Sequence, residues 1–257
     1  MVEFFGMLVG AVRSVAAYVG VSLWILILAP PGMVVASVFR RPGLLYALGR
    51  GGVRLGLYAA GIRYRVAGVE HIQSDRGAVY CVNHSSNLEP PIVYMALSAI
   101  HPRLKILYKS ELRRVFVVLR NAFDIVGFVP IERGNREQSS QAIDTVAAAL
   151  ISGDSFMIFP EGTRSRTGEL LPFKKGGFVM AIKGQAPVVP VAIQGTSAAM
   201  RKGSPFIRPV RVSVRIGSPI EVVGLDLSQR NALIADTRAA IERLLGEGPV
   251  SRSIDDG

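Results

Sequence analysis

An apolar, β-branched run that ends in a histidine and then meets two prolines leaves this chain few choices at its centre. Val79-Tyr80-Cys81-Val82 reads as a buried strand, Asn83 to Leu88 as a polar turn, and Pro90-Pro91 as the start of a new element. Proline lacks an N–H and has a fixed φ, so it suits the first turn of a helix, while Glu89 before it is pushed away from helical angles. The stretch therefore predicts strand, turn, helix, with His84 and Glu89 both in the turn. In a continuous α-helix, positions five apart lie roughly 140° from each other, so only a turn can bring this pair together.

Two readings of the pair stand side by side. A carboxylate on one imidazole nitrogen fixes the tautomer, so the other nitrogen can take a proton from a hydroxyl as that oxygen attacks an acyl carbon. Alternatively the turn is simply capped, with Glu89 at a helix N-terminus, where negative charge is favoured, and His84 an ordinary loop residue.

The N-terminus sets the surroundings. Residues 14 to 39 carry no charged side chain, and only Arg13 interrupts the apolar character back to Phe4. The run is too long for a signal peptide and lacks a small-residue cleavage pattern, so it reads as retained. Pro30-Pro31-Gly32 is expected to break it. Ser14 to Ala29 would reach only about 24 Å as a helix, against a bilayer core of about 30 Å. Extension back to Phe4 restores a spanning length, so a spanning helix and a bent hairpin in one leaflet are both open, with the break favouring the hairpin. A buried core helix with a solvated basic face is the soluble alternative. Arg40, Arg41, Arg50, Arg54, Arg63 and Arg65 follow, with no acidic residue before Glu70. This fits attraction to anionic lipid and a following domain on the cytoplasmic face.

From Ile62 onward the pattern alternates. Strands are expected at Ile62–Val66, Ala78–Val82, Leu104–Tyr108, Ile125–Ile131, Ser155–Phe159, Val188–Ile193 and Val210–Ile216, with helices at 91–99, 112–122, 137–151, 175–184 and 228–245. The fold class is thus α/β: a largely parallel mixed sheet flanked by helices, with an N-terminal apolar helical membrane-anchoring segment. The expected organisation is a membrane-associated segment over 1–60, an α/β domain over 61–247 and a flexible tail over 248–257. At 257 residues there is room for one sizeable core with a small appendage.

A formal charge of +11 calls for an anionic partner. The basic residues directly follow the apolar segment and no aromatic-basic signature accompanies them, so a membrane surface is expected rather than nucleic acid. The single cysteine, Cys81, rules out an internal disulfide framework, and His71, His84 and His101 are too scattered for a metal cluster; no metal and no cofactor are expected.

Downstream, Phe159-Pro160-Glu161-Gly162-Thr163-Arg164-Ser165-Arg166 replaces a buried strand with site chemistry. Loops beyond the carboxyl ends of strands are where open α/β sheets hold ligands. Gly162 permits close backbone approach, Thr163 offers a hydroxyl, and Arg164 offers a planar fork that matches phosphate oxygens. Pro130 to Asn135 repeats the arrangement with Arg133 and Gly134, and Lys109 is a third cation at an equivalent strand end. Lys174 and Lys175 read either as extra charge near a headgroup or as a solvated pair. There is no Gly-x-Ser-x-Gly elbow, no Walker A sequence and no Gly-x-Gly-x-x-Gly fingerprint, so phosphate recognition would rest on side-chain cations.

Asn83-His84, four residues, Glu89; Lys109-Ser110-Glu111-Leu112; Ile131-Glu132-Arg133; Phe159 to Arg164; and Val189-Pro190-Val191 occur in an order that resembles the 1-acyl-glycerol-3-phosphate acyltransferases, within the wider glycerolipid acyltransferase family. The likeness covers roughly residues 60 to 220. It implies transfer of a fatty acyl group from acyl-CoA or acyl-carrier protein to the free hydroxyl of lysophosphatidic acid, without a covalent acyl-enzyme. By the same resemblance His84 is the general base and Glu89 its orienter. Arg133, Glu161, Gly162, Thr163 and Arg164 bind the acceptor's glycerol phosphate, and Lys109 stabilises the developing oxyanion. The family pattern usually has aspartate where this chain has Glu89, which leaves open another lysolipid acceptor, such as a lyso-ornithine lipid or a lysophospholipid. It also leaves open a non-catalytic lipid-binding protein on the same fold.

Overall fold

A computed structural model describes residues 2–115, 117–132, 136–200 and 203–250. Helix α1 (Val2–Val38) and helix α2 (Gly43–Ala60) form an antiparallel arm. The chain then builds β1 (Arg63–Ala67), β2 (Val79–Val82), α3 (Glu89–Ala96), β3 (Leu104–Lys109), α4 (Leu112–Val115), α5 (Val117–Val126) and β4 (Val129–Ile131). It continues with α6 (Arg136–Ile151), β5 (Ser155–Ile158), α7 (Gly176–Lys183), β6 (Val188–Gln194), α8 (Thr196–Ala199), β7 (Arg211–Ile216) and α9 (Arg230–Gly246).

Among the described residues, seven strands form one mixed sheet in the order β1-β7-β6-β2-β5-β3-β4, parallel throughout except for the β6/β7 pair. β2, β5 and β6 are buried almost throughout their length and read as continuous apolar runs, as parallel strands covered on both faces must. Helices α3 and α5 lie with the α1/α2 arm over one face, and α6, α7 and α9 over the other, which gives two apolar layers. The central position of β2 sets the site: its carboxyl end is flanked on either side by the ends of β5 and β6.

The structure corrects two expectations. Ile125–Ile131 is not one strand, because Ile125 and Val126 finish the apolar stripe of α5. Gly127 at φ +76° then turns the chain, with its N–H on Asp124 O and the Phe128 N–H on Phe123 O, so only Val129–Ile131 remains to pair with β3. Nor does Pro30-Pro31-Gly32 end the first helix, since α1 runs through it to Val38. The bend falls instead at residues 39–42, and α2 packs back along α1. Trp24 lies over Gly51 and Gly52, and its indole N–H donates to Leu48 O at 3.0 Å. Gly32 meets Leu48 so closely that a Cβ there would lie 2.4 Å from the leucine Cδ1. Tertiary packing thus offsets the two helical donors that the prolines remove.

The arm is also tied to the α/β domain. Ser14 Oγ accepts the Ile207 N–H at 2.7 Å and donates to Gly10 O, while the Tyr18 hydroxyl donates to Pro205 O at 2.7 Å. The opposite stripe of α1, including Val12, Val15, Val19, Leu23, Leu26 and Val38, is exposed. The stretch Val9–Val38 is long and apolar enough to cross a membrane. At the other terminus, Val250 donates to Ser213 Oγ and Arg215 to Gly248 O, so the expected tail is held at its start, and residues 251–257 lie outside the described residues.

Candidate active site

Asn83 decides how the chain leaves β2. Its side chain continues the ladder to β6 after the backbone has turned away, with Nδ2 donating to Ile193 O at 3.0 Å and Oδ1 accepting the Ile193 N–H at 2.7 Å. The turn that follows folds around Glu89, the first residue of α3, whose side chain is 0% exposed. A carboxylate so far from water must be surrounded by donors. His84 Nδ1 lies 2.7 Å from Oε2. The Ser85 N–H reaches both oxygens at 2.9 Å, and Oε1 also accepts from Ser85 Oγ at 2.7 Å, the Ser86 N–H at 3.0 Å and Thr196 Oγ1 at 2.6 Å. An acceptor of this kind places the ring proton on Nδ1 and leaves Nε2 as the nitrogen that can exchange one. Phe159 lies 4.2 Å from the imidazole between ring centroids and covers one face.

The loop after β5 grips the backbone of the same histidine. Glu161 Oε1 accepts the His84 N–H at 2.6 Å, Oε2 accepts the Leu171 N–H at 2.9 Å, and the Ser165 N–H donates to His84 O at 2.7 Å. Burial pushes the Glu161 carboxyl above its ordinary range, against the opposing pull of these two N–H groups. Glu161 therefore faces inward onto the protein's own peptides. Thr163 is exposed and Arg164 half-buried on the same loop. Gly162, at φ +67°, lies under the Lys174 stem, where a Cβ would come within 2.8 Å of the lysine Cε. This brings Lys174 to the loop, while Lys175 stands at the N-cap of α7.

Lys109 is exposed at the end of β3, across β5 from β2. Arg133 lies outside the described residues. Ser85, Ser165 and Thr196 are contributors that sequence reading missed; Gly195-Thr196, just past the end of a buried strand, was the available signal. Cys81 is fully buried, its thiol driven upward by desolvation, and so offers no nucleophile. Among the described residues no group of three His, Cys, Asp or Glu side chains is placed to hold a metal.

Beside the dyad an apolar cavity of about 380 Å³ opens between the α1/α2 arm and the sheet. Pro90 and Pro91, in the first turn of the helix that begins with Glu89, form part of its wall, with Trp24, Leu48, Tyr108 and Phe123. The lining residues Tyr46 and Tyr94 pack at a tilt against His101, with centroids 4.9 and 4.3 Å away. Burial and the nearby Arg50 push the His101 imidazole down to about 4, so this ring is neutral near pH 7.

The acyltransferase family model matches residues 63–194, which contain the dyad and the Glu161 loop. A 1-acyl-sn-glycerol-3-phosphate acyltransferase of Cocos nucifera is 34% identical over 58% of this chain and 47% of that protein. One of Limnanthes douglasii is 33% identical over 70% of this chain and 62% of that protein. The matched region thus spans about half to three-fifths of these curated relatives. In three dimensions, the crystal structure of the 1-acyl-sn-glycerophosphate (LPA) acyltransferase PlsC from Thermotoga maritima superposes with a TM-score of 0.77 at 22% identity, covering 98% of this chain and 100% of that one. With half of its length matched and the His84–Glu89 pair inside that match, the chain belongs to the acyltransferase family.

Proposed function

We propose that the protein is a membrane-bound O-acyltransferase that moves a fatty acyl group from acyl-CoA or acyl-carrier protein to the free hydroxyl of 1-acyl-glycerol-3-phosphate, giving phosphatidic acid. The observation that carries this reading is the 2.7 Å contact between His84 Nδ1 and a Glu89 carboxylate with no exposure to water. Nε2 takes the acceptor's hydroxyl proton as its oxygen bonds to the thioester carbon. The tetrahedral intermediate then expels the thiolate, which leaves with the proton from Nε2, so the enzyme ends as it began. Thr163, Arg164 and Arg133 bind the glycerol phosphate beside Gly162 and the Lys174 that crosses it, and Lys109 faces the oxyanion. Glu161 serves the same site by fixing the peptide of His84. The cavity, within the size range of ligand pockets and lined by apolar side chains, takes an acyl chain.

The exposed stripe of α1, and its attachment to the domain at both Ser14 and Tyr18, support an arm that lies within one leaflet, with the domain on the cytoplasmic face.

The test is a transfer assay on the purified, detergent-solubilised chain. It offers lysophosphatidic acid, lyso-ornithine lipid and other lysophospholipids with acyl-CoA or acyl-carrier protein, and products are identified by mass. Phosphatidic acid as the dominant product is expected. Preference for another lysolipid would keep the mechanism and overturn the acceptor, and no turnover with any pair would overturn the enzyme.

A further inference from the structure

We propose that Thr196 is a positioning residue whose hydroxyl holds Glu89 Oε1, so that Oε2 stays aimed at His84 Nδ1. The inference rests on the dyad reading and deepens it. Glu89 uses its two oxygens unequally: Oε2 meets the imidazole, while Oε1 collects two hydroxyls and two backbone N–H groups. Of the side chains on Oε1, Thr196 makes the shorter contact, 2.6 Å, and is the one delivered from another strand. A glutamate side chain retains a torsion about its carboxylate, and the local donors, Ser85 and Ser86, all come from the turn that carries His84. They would follow the turn if it shifted. Thr196 comes instead from the end of β6.

The anchoring of Thr196 is built in several steps. Asn83 locks β6 to the end of β2, and β6 then stops at Gly195 with φ +92°. A Cβ at Gly195 would lie 2.6 Å from Arg211 O, so only glycine lets the chain swing Thr196 over the carboxylate. The Met200 N–H closes the short helix on Thr196 O, and Ser86 Oγ donates to Met200 O at 3.0 Å, which pins the far end of the segment to the same turn. Thr196 itself is 1% exposed. A buried hydroxyl aimed at a buried carboxylate from a different strand end, with both ends of its segment pinned, is placed to set orientation.

The experiment compares Thr196→Ser, Thr196→Val and Thr196→Ala in the full-length chain. Replacement by valine is expected to lower kcat by about 10–100-fold, the scale at which a small misplacement of a catalytic group acts, with the acceptor KM changed less than about twofold. Serine, which keeps the hydroxyl, should retain most of the rate. A second readout is the ¹⁵N spectrum of histidine-labelled protein, with His84 assigned by its loss in His84→Ala. The wild type and Thr196→Ser should show the signature of a proton held on Nδ1, and Thr196→Val should show averaged shifts of mixed tautomers. Should valine prevent folding, alanine against serine makes the same comparison. Unchanged kcat without the hydroxyl, an unchanged tautomer signature, or a serine variant as slow as valine would each overturn the proposal. A wild type without transfer activity would sink the enzymatic reading alone, and the tautomer comparison would still decide the role of Thr196.

Discussion

Two turns at the carboxyl ends of neighbouring parallel strands each bury a glutamate, and they use it differently. After β2, Glu89 gathers an imidazole, two hydroxyls and the N–H groups of its own turn. After β5, Glu161 gathers two backbone N–H groups, those of His84 and Leu171. The first carboxylate determines where a ring points and which nitrogen carries its proton. The second determines where that residue's peptide sits. One reactive side chain thus has its orientation and its position set by separate carboxylates from separate strands, and a buried charge at a site need not touch the ligand.

The contrast can be broken most sharply at Glu89. Replacement by alanine should lower kcat by about 10² or more, on the scale of general-base catalysis, and should also cost stability, because the buried hydroxyl and N–H donors that Glu89 gathers lose their acceptor. A rate within about threefold of wild type in the transfer assay would refute its role as orienter. Glu161→Gln should act chiefly on stability. Its amide nitrogen cannot accept one of the two N–H groups, so a buried donor is left unpaired, at a cost of about 1–3 kcal/mol that denaturant titration should register. Any loss of rate should accompany that loss of stability.

Glu161 also leaves a pH signature. Its folded-state value is raised above the usual 4.5 by burial, so its contribution to stability is fully present below that unfolded value and is lost as pH rises through the folded one. Glu161→Gln should therefore flatten the Tm against pH curve just above pH 4.5, relative to wild type. An identical slope in both proteins would contradict the burial argument. Arg164→Ala should have the smallest effect on the chemistry itself: the acceptor KM rises while kcat holds, because a phosphate contact made equally in ground and transition states is lost. A selective fall in kcat would instead place Arg164 at the reacting centre.

Much of this was legible in the chain because it is local. Strands of four to seven residues announce themselves as apolar runs closed by glycine, proline or polar residues, and six of the seven fell within a residue or two of expectation. The His84–Glu89 turn was legible for the same reason: its spacing and the prolines that follow confine both side chains to one short segment. What escaped depends on packing between distant segments. Glu161 sits 77 residues from the peptide it holds and Thr196 sits 107 from its carboxylate, so nothing beside either in the chain reveals its partner. Ile125 and Val126 fit a strand as well as a helical stripe, and only Gly127 settles the matter. Pro30 and Pro31 were expected to end α1, and it is the packing of α1, Gly32 included, against Leu45 and Leu48 of α2 that carries the helix past them.

The central claim is that Glu89 acts through His84. Its most direct test is the transfer rate of the double variant His84→Ala/Glu89→Ala beside the two single variants and wild type. If the carboxylate serves only to orient and stabilise the imidazole, removing it from His84→Ala costs nothing further, and the double variant matches that single variant. If Glu89→Ala costs the same factor with and without the histidine, the two residues act independently and the dyad is contradicted.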